Sequence, residues 1–125
     1  VTGLYDRIRR TAADIAARIS DPGSLAEAED MLAVMTGERG NVFVQDISLR
    51  RYIPNIATGF VVASFRRLVA ALSSGEYGLA ADIAEAVQAL PEEELLSDKE
   101  TRADFNSGYI RRLNDKYGIR ILPEI

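Results

Sequence analysis

The stretch Gly75–Gly118, GEYGLAADIAEAVQALPEEELLSDKETRADFNSGYIRRLNDKYG, decides the fold. Leu79, Ile83, Val87 and Leu90 recur at three- and four-residue steps, the period of a half-buried helix, with Glu85 and Gln88 turned away from that stripe. Pro91 has no N–H to continue the ladder, so the helix ends there and Glu92 to Leu96 form a connector. Ser97 and Glu100 stand at capping-box spacing and predict the start of a further helix. Phe105, Tyr109, Ile110, Leu113 and Tyr117 supply its inward stripe, and Gly118 its left-handed stop. Two helices meeting at a Leu-Pro corner are therefore expected.

The preceding sequence extends the same architecture. Leu4, Ile8, Ala12, Ile15 and Ile19 predict a first amphipathic helix ending near Ser20, before the turn Asp21-Pro22-Gly23. Ser24 and Glu27 repeat the capping-box spacing and predict a second helix, with Leu25, Ala28, Met31, Leu32 and Met35 buried and Gly37 at its C-terminal end. Residues 37–53 read as an irregular loop, since the one apolar run there, Val42-Phe43-Val44, has no evident partner strand. Pro54 suits the first turn of a third helix reaching about Leu72, with Ala57, Val61, Phe65, Leu68 and Leu72 on one face and Ile56 and Phe60 near the opposite one. The expectation is an all-α bundle of about five helices in a single domain over residues 1–125.

Composition narrows the chemistry further. The chain has 125 residues, 47% hydrophobic and 27% charged, as in ordinary globular domains. The apolar neighbourhood Ile56–Leu72 is broken by Arg66-Arg67 and falls short of the roughly 20 residues that a membrane crossing needs. Cysteine and histidine are both absent, which removes disulfides, thiolate nucleophiles, the commonest general base and the usual zinc ligands. A cytoplasmic setting is expected. Phosphate-binding glycine loops and nucleophile elbows have no counterpart in the sequence. No catalytic residue, metal ligand or cofactor is assigned on these grounds.

The formal charge of −4 is uneven: residues 76–125 hold eleven acidic and six basic residues, against eight and nine before them. An acidic ridge of this kind steers basic partners, although solvated faces commonly carry such runs. The arginine doublets at 50–51, 66–67 and 111–112 lie on three different elements, unlike the gathered positive patch of a nucleic-acid binder. Tyr77 lies off the apolar stripe and Tyr52 in the irregular loop, so both are candidate contact residues. Asp82 and Glu85, at i and i+3, are the candidates for a carboxylate-dependent metal site or enzyme.

Gly75, Tyr77 and Ala80, then Ala84 to Pro91, then Phe105, Tyr109-Ile110 and Lys116-Tyr117-Gly118 together resemble small helical bacterial proteins, among them uncharacterised families and immunity proteins of toxin systems. Those proteins read A-D-A-[IV]-H-N-L-P where this chain has Glu85, Gln88 and Ala89 at the polar positions. The resemblance implies a shared helical frame and a toxin-neutralising, noncatalytic role. The expected function is thus protein binding, with Tyr52, Tyr77, Glu85, Gln88, Glu92, Glu93 and Glu94 as contact residues and a basic toxin domain as partner. The alternatives are the carboxylate-dependent protein and a structural or dimerisation domain.

Overall fold

The computed structural model describes residues 3–37 and 55–125, with side chains from residue 57 onward in the second stretch. Within these, α1 (Gly3–Ala17), α2 (Pro22–Thr36), α3 (Asn55–Ser73) and α4 (Tyr77–Gln88) are followed by a 3₁₀ turn (Glu93–Leu95). A last helical rod spans 99–117. It consists of α5 (Lys99–Phe105), a π-helical turn (Asn106–Ile110) and α6 (Arg111–Tyr117) without a break in helical backbone angles. The all-α expectation holds, and no strand occurs among the described residues. Val42-Phe43-Val44, Pro54 and Tyr52 lie outside the described residues. No described helix is long and apolar enough to cross a membrane.

Helix α1 packs on α2 and α4, and α3 packs on α2 and α4. Their contact is filled by Ile8, Ile15, Phe60, Val61, Phe65, Leu68, Ile83 and Val87, all buried. Burying each of the larger of these side chains contributes about 1.5–3 kcal/mol before the entropy of ordering it is subtracted. Phe60 lies in the core beside Ala57, Val61, Phe65, Leu68 and Leu72, so α3 is covered on a wider arc than a single stripe. Phe105 meets Phe60 edge-to-face with ring centroids 5.3 Å apart and thereby ties the last rod to α3.

Both expected capping boxes are displaced. Helix α2 starts at Pro22, with Asp21 as the cap accepting from the Gly23 N–H at 2.8 Å. Proline at the first helical position gives up an N–H that had no intrahelical partner. Ser24 is buried instead, donating its hydroxyl to the Asp21 and Ile19 carbonyls, and Glu27 pairs with Arg18. Likewise Asp98, not Ser97, caps α5 by accepting from the Thr101 N–H at 3.0 Å and its hydroxyl at 2.6 Å. In both cases an aspartate lies near a serine and wins the cap. Gly37 and Gly118 take the expected left-handed conformation at helix ends, with φ of 76° and 68°.

The tail after Gly118 docks by backbone mimicry. Asn114 accepts from the Ile121 and Leu122 N–H groups at 2.8 and 3.1 Å and donates to the Leu122 carbonyl at 3.0 Å. Asn106, itself buried, donates to the Ile125 main-chain oxygen at 2.8 Å and accepts from its N–H at 2.9 Å. At the first of these clamps Ile121 and Leu122 enter the core. Replacing Asn106→Ala leaves both Ile125 groups without this partner and is expected to lower the unfolding free energy by about 1–3 kcal/mol in urea titrations. Tyr5 is the opposite case, being buried with a hydroxyl that has no hydrogen-bond partner among the described residues. Tyr5→Phe is therefore expected to hold stability or raise it by up to about 1 kcal/mol, and a clear loss in the same titration would show that the hydroxyl is satisfied.

Candidate functional site

The surface that combines concavity, an exposed aromatic ring and unpaired charge lies where α4 faces the rod. Its position follows from the π-helical turn. In an unbroken α-helix Phe105, Tyr109 and Leu113 would share one face, four residues apart. Here the Arg111 N–H bonds back to the Asn106 carbonyl, five residues away, and the extra residue shifts the buried stripe to Phe105, Asn106, Ile110 and Leu113. Tyr109 is turned out and is 39% exposed, in contrast to the inward position expected from the periodicity. Its ring stacks on Phe105 at 5.6 Å between centroids, with planes 29° apart. Tyr117, also expected inward, is half-buried at the edge of the core.

Tyr109 stands between two hollows. The first, of about 270 Å³, lies between α4 and the rod and is lined by Asp82, Glu85, Tyr109, Arg112 and Lys116 over a floor of Ala86 and Leu113. The second, of about 250 Å³, lies beside the Leu-Pro corner and is lined by Ala89, Pro91, Thr101, Asp104, Phe105 and Tyr109.

Asp82 is committed within the first hollow. Its Oδ2 accepts from Lys116 Nζ at 2.7 Å and from the Tyr117 hydroxyl at 2.6 Å, and the same ammonium lies 5.5 Å from the Tyr117 ring. Partial burial opposes its ionisation, but these two hydrogen bonds and the Lys116 charge outweigh that and hold its pKa below the usual aspartate value. Conversely, the bond to Asp82 raises the pKa of Lys116 and of Tyr117. Glu85 is exposed on the same hollow and enters no ion pair among the described residues. No group of three potential ligands able to hold a metal ion occurs among the described residues.

The remaining sequence candidates are dispersed. Tyr77 is 42% exposed at the start of α4, and Gln88 is exposed, donating to its own Ala84 carbonyl at 3.2 Å. Glu92 pairs with Arg9 at 3.0 Å. The same guanidinium donates to the Leu90 and Pro91 carbonyls and to Asp6. Arg102 donates to the Leu96 carbonyl at 2.8 Å from the other side, so two arginines fix the corner. Glu93 is half-buried and Glu94 exposed. The structure thus separates Glu85 and Gln88 on α4 from the corner glutamates, of which Glu92 is engaged in holding the corner. Tyr109, Asp104 and Arg112 were not among the contact residues assigned from the sequence, where Tyr109 was expected in the core, Asp104 counted only in the acidic ridge and Arg112 only in an arginine doublet. Their signal was Asn106-Ser107-Gly108, three poor helix formers in mid-helix, which marks a place where the helical register can change.

Compared with protein-family models, with curated proteins and with solved structures, the chain matches none.

The Asp82 pair gives a pH test. A folded-state pKa below the unfolded value contributes stability that is present above about pH 4 and is lost as pH falls through the lowered value. Asp82→Asn is expected to lower stability at pH 7 and to flatten the acid limb of the pH–stability curve below about pH 4. An acid limb parallel to that of the unaltered protein would show that the pair adds nothing measurable.

Proposed function

We propose that this chain is a noncatalytic binding module that engages another polypeptide through the surface around Tyr109, between α4 and the 99–117 rod. The observation that carries this reading is Tyr109 itself: a large amphipathic ring turned outward, braced on the buried Phe105 and bordered by a hollow on each side. A braced ring loses little freedom on binding, and aromatic anchors flanked by recesses are the usual centres of interface energy. Exposed Glu94 and Asp104 add an acidic margin that favours a basic partner. The resemblance to immunity proteins of bacterial toxin systems points the same way, with a basic toxin domain as the partner to be occluded.

The carboxylate-dependent reading draws less support, since Asp82 is neutralised by Lys116 and hydrogen-bonded to Tyr117.

The test uses a partner recovered from the native host, purified and titrated against variants. Tyr109→Ala is expected to weaken binding by about tenfold or more, whereas Tyr77→Ala leaves it nearly unchanged. A partner held equally well by Tyr109→Ala would place the interface elsewhere. Charge reversals separate steering from folding. Glu94→Lys is expected to slow association and reduce its salt dependence, while Glu92→Lys sets a cation against Arg9 and lowers thermal stability.

A further inference from the structure

The two hollows beside Tyr109 differ in charge, and that difference bears on what each can receive. The α4-side hollow is balanced, with the carboxylates of Asp82 and Glu85 facing the cations of Arg112 and Lys116. A charged group entering it meets attraction and repulsion together. The corner-side hollow has one ionic lining residue, Asp104, and no cation among its lining residues. Asp104 is exposed, and its carboxylate enters no ion pair among the described residues. Its other walls are Ala89, Pro91, Phe105 and the Tyr109 ring, which offer apolar surface and an aromatic face.

We propose that the notch between Asp104 and Tyr109 receives a basic side chain, arginine or lysine, of the polypeptide partner. The aliphatic stem of such a residue covers Pro91 and Ala89 while its charged head lies between the carboxylate and the ring. Arginine fits better than lysine, because a planar guanidinium stacks on an aromatic ring and presents a donor fork to the carboxylate at the same time. The volume of about 250 Å³ admits one side chain and excludes a larger element of secondary structure. This proposal rests on the reading of Tyr109 as the centre of a polypeptide interface and adds the chemistry of the residue that seats there.

The experiment requires no knowledge of the partner. N-acetyl-arginine amide is titrated into the ¹⁵N-labelled chain, with N-acetyl-citrulline amide, its uncharged isostere, as control. The expected result is saturable amide shifts at Thr101, Asp104 and Tyr109 with millimolar affinity for the arginine compound, and no saturable shift with citrulline. Asp104→Asn and Tyr109→Leu each weaken this binding by about twofold to fivefold, and Tyr109→Phe, which keeps the ring, retains it. Asp104 and Tyr109 are exposed, so the fold tolerates these changes, as an unchanged spectrum elsewhere verifies. Equal shifts from citrulline, unchanged affinity in Asp104→Asn, or shifts centred on Glu92 to Glu94 would overturn the proposal. A partner lost with Tyr109→Ala but no arginine binding in the notch sinks the notch alone. Arginine binding together with a partner indifferent to Tyr109 sinks the interface and leaves the notch.

Discussion

The structure of the C-terminal half depends on one extra residue in the turn between Asn106 and Ile110. That residue costs helical hydrogen-bond geometry, and the cost is offset from both directions. Asn106 turns inward and takes the two main-chain groups of Ile125, while Ile110 fills the core in the position that Tyr109 would otherwise hold. Space does not require glycine at the centre of this turn, since a Cβ on Gly108 would meet nothing within 4 Å; its effect there is to weaken the regular α-helical register. The docking of the tail and the exposure of Tyr109 are two consequences of the same register change. π-Helical turns are uncommon and concentrate at functional sites, in keeping with an aromatic residue turned outward while Ile110 takes the core position.

Charge in this chain divides into holding and display. Arg9 and Arg102 spend their donors on the carbonyls of Leu90, Pro91 and Leu96, groups that the Leu-Pro corner leaves outside any helix. Glu92 completes this arrangement by neutralising Arg9. Arg111 and Glu124 pair at 3.0 and 2.9 Å and fasten the tail to the outside of the rod, where exposure keeps the contribution small. The acidic ridge seen in the sequence is therefore not one surface. Part of it is internal bracing, Glu85 faces cations across the α4-side hollow, and the part left for a partner includes Glu94 and Asp104.

Helix number and order were legible in the sequence because burial imposes a period that composition cannot hide, as Ile83 and Val87 on α4, and Leu90 just after it, demonstrate. Helix starts were less legible. The S-x-x-E spacing at Ser24 and Ser97 is a real capping signal, but Asp21 and Asp98 offer charged acceptors nearby and take the position. The outward turn of Tyr109 was not legible from periodicity, since 105, 109, 113 and 117 form a faultless α-helical stripe. What decided against it was nonlocal: the Asn106 clamp joins residues nineteen apart, and no window of one helix contains both. The candidate site inherited this blind spot, because its central residue was assigned to the core.

The pairing of Asp82 with Lys116 bears on how the two hollows divide their work. Lys116 belongs to the rod and Asp82 to α4, so the ion pair bridges the two elements across the α4-side hollow. Glu85 and Arg112 line the same recess, so two carboxylates face two cations and the recess presents little net charge. Removing one charge from a balanced group leaves its partner uncompensated, whereas adding an external charge gains little from it. Attraction for an incoming cation is then strongest on the other side of Tyr109, where Asp104 has no cation beside it in the lining. Selectivity in this surface thus comes less from how much acid the sequence carries than from which carboxylates the fold has already neutralised.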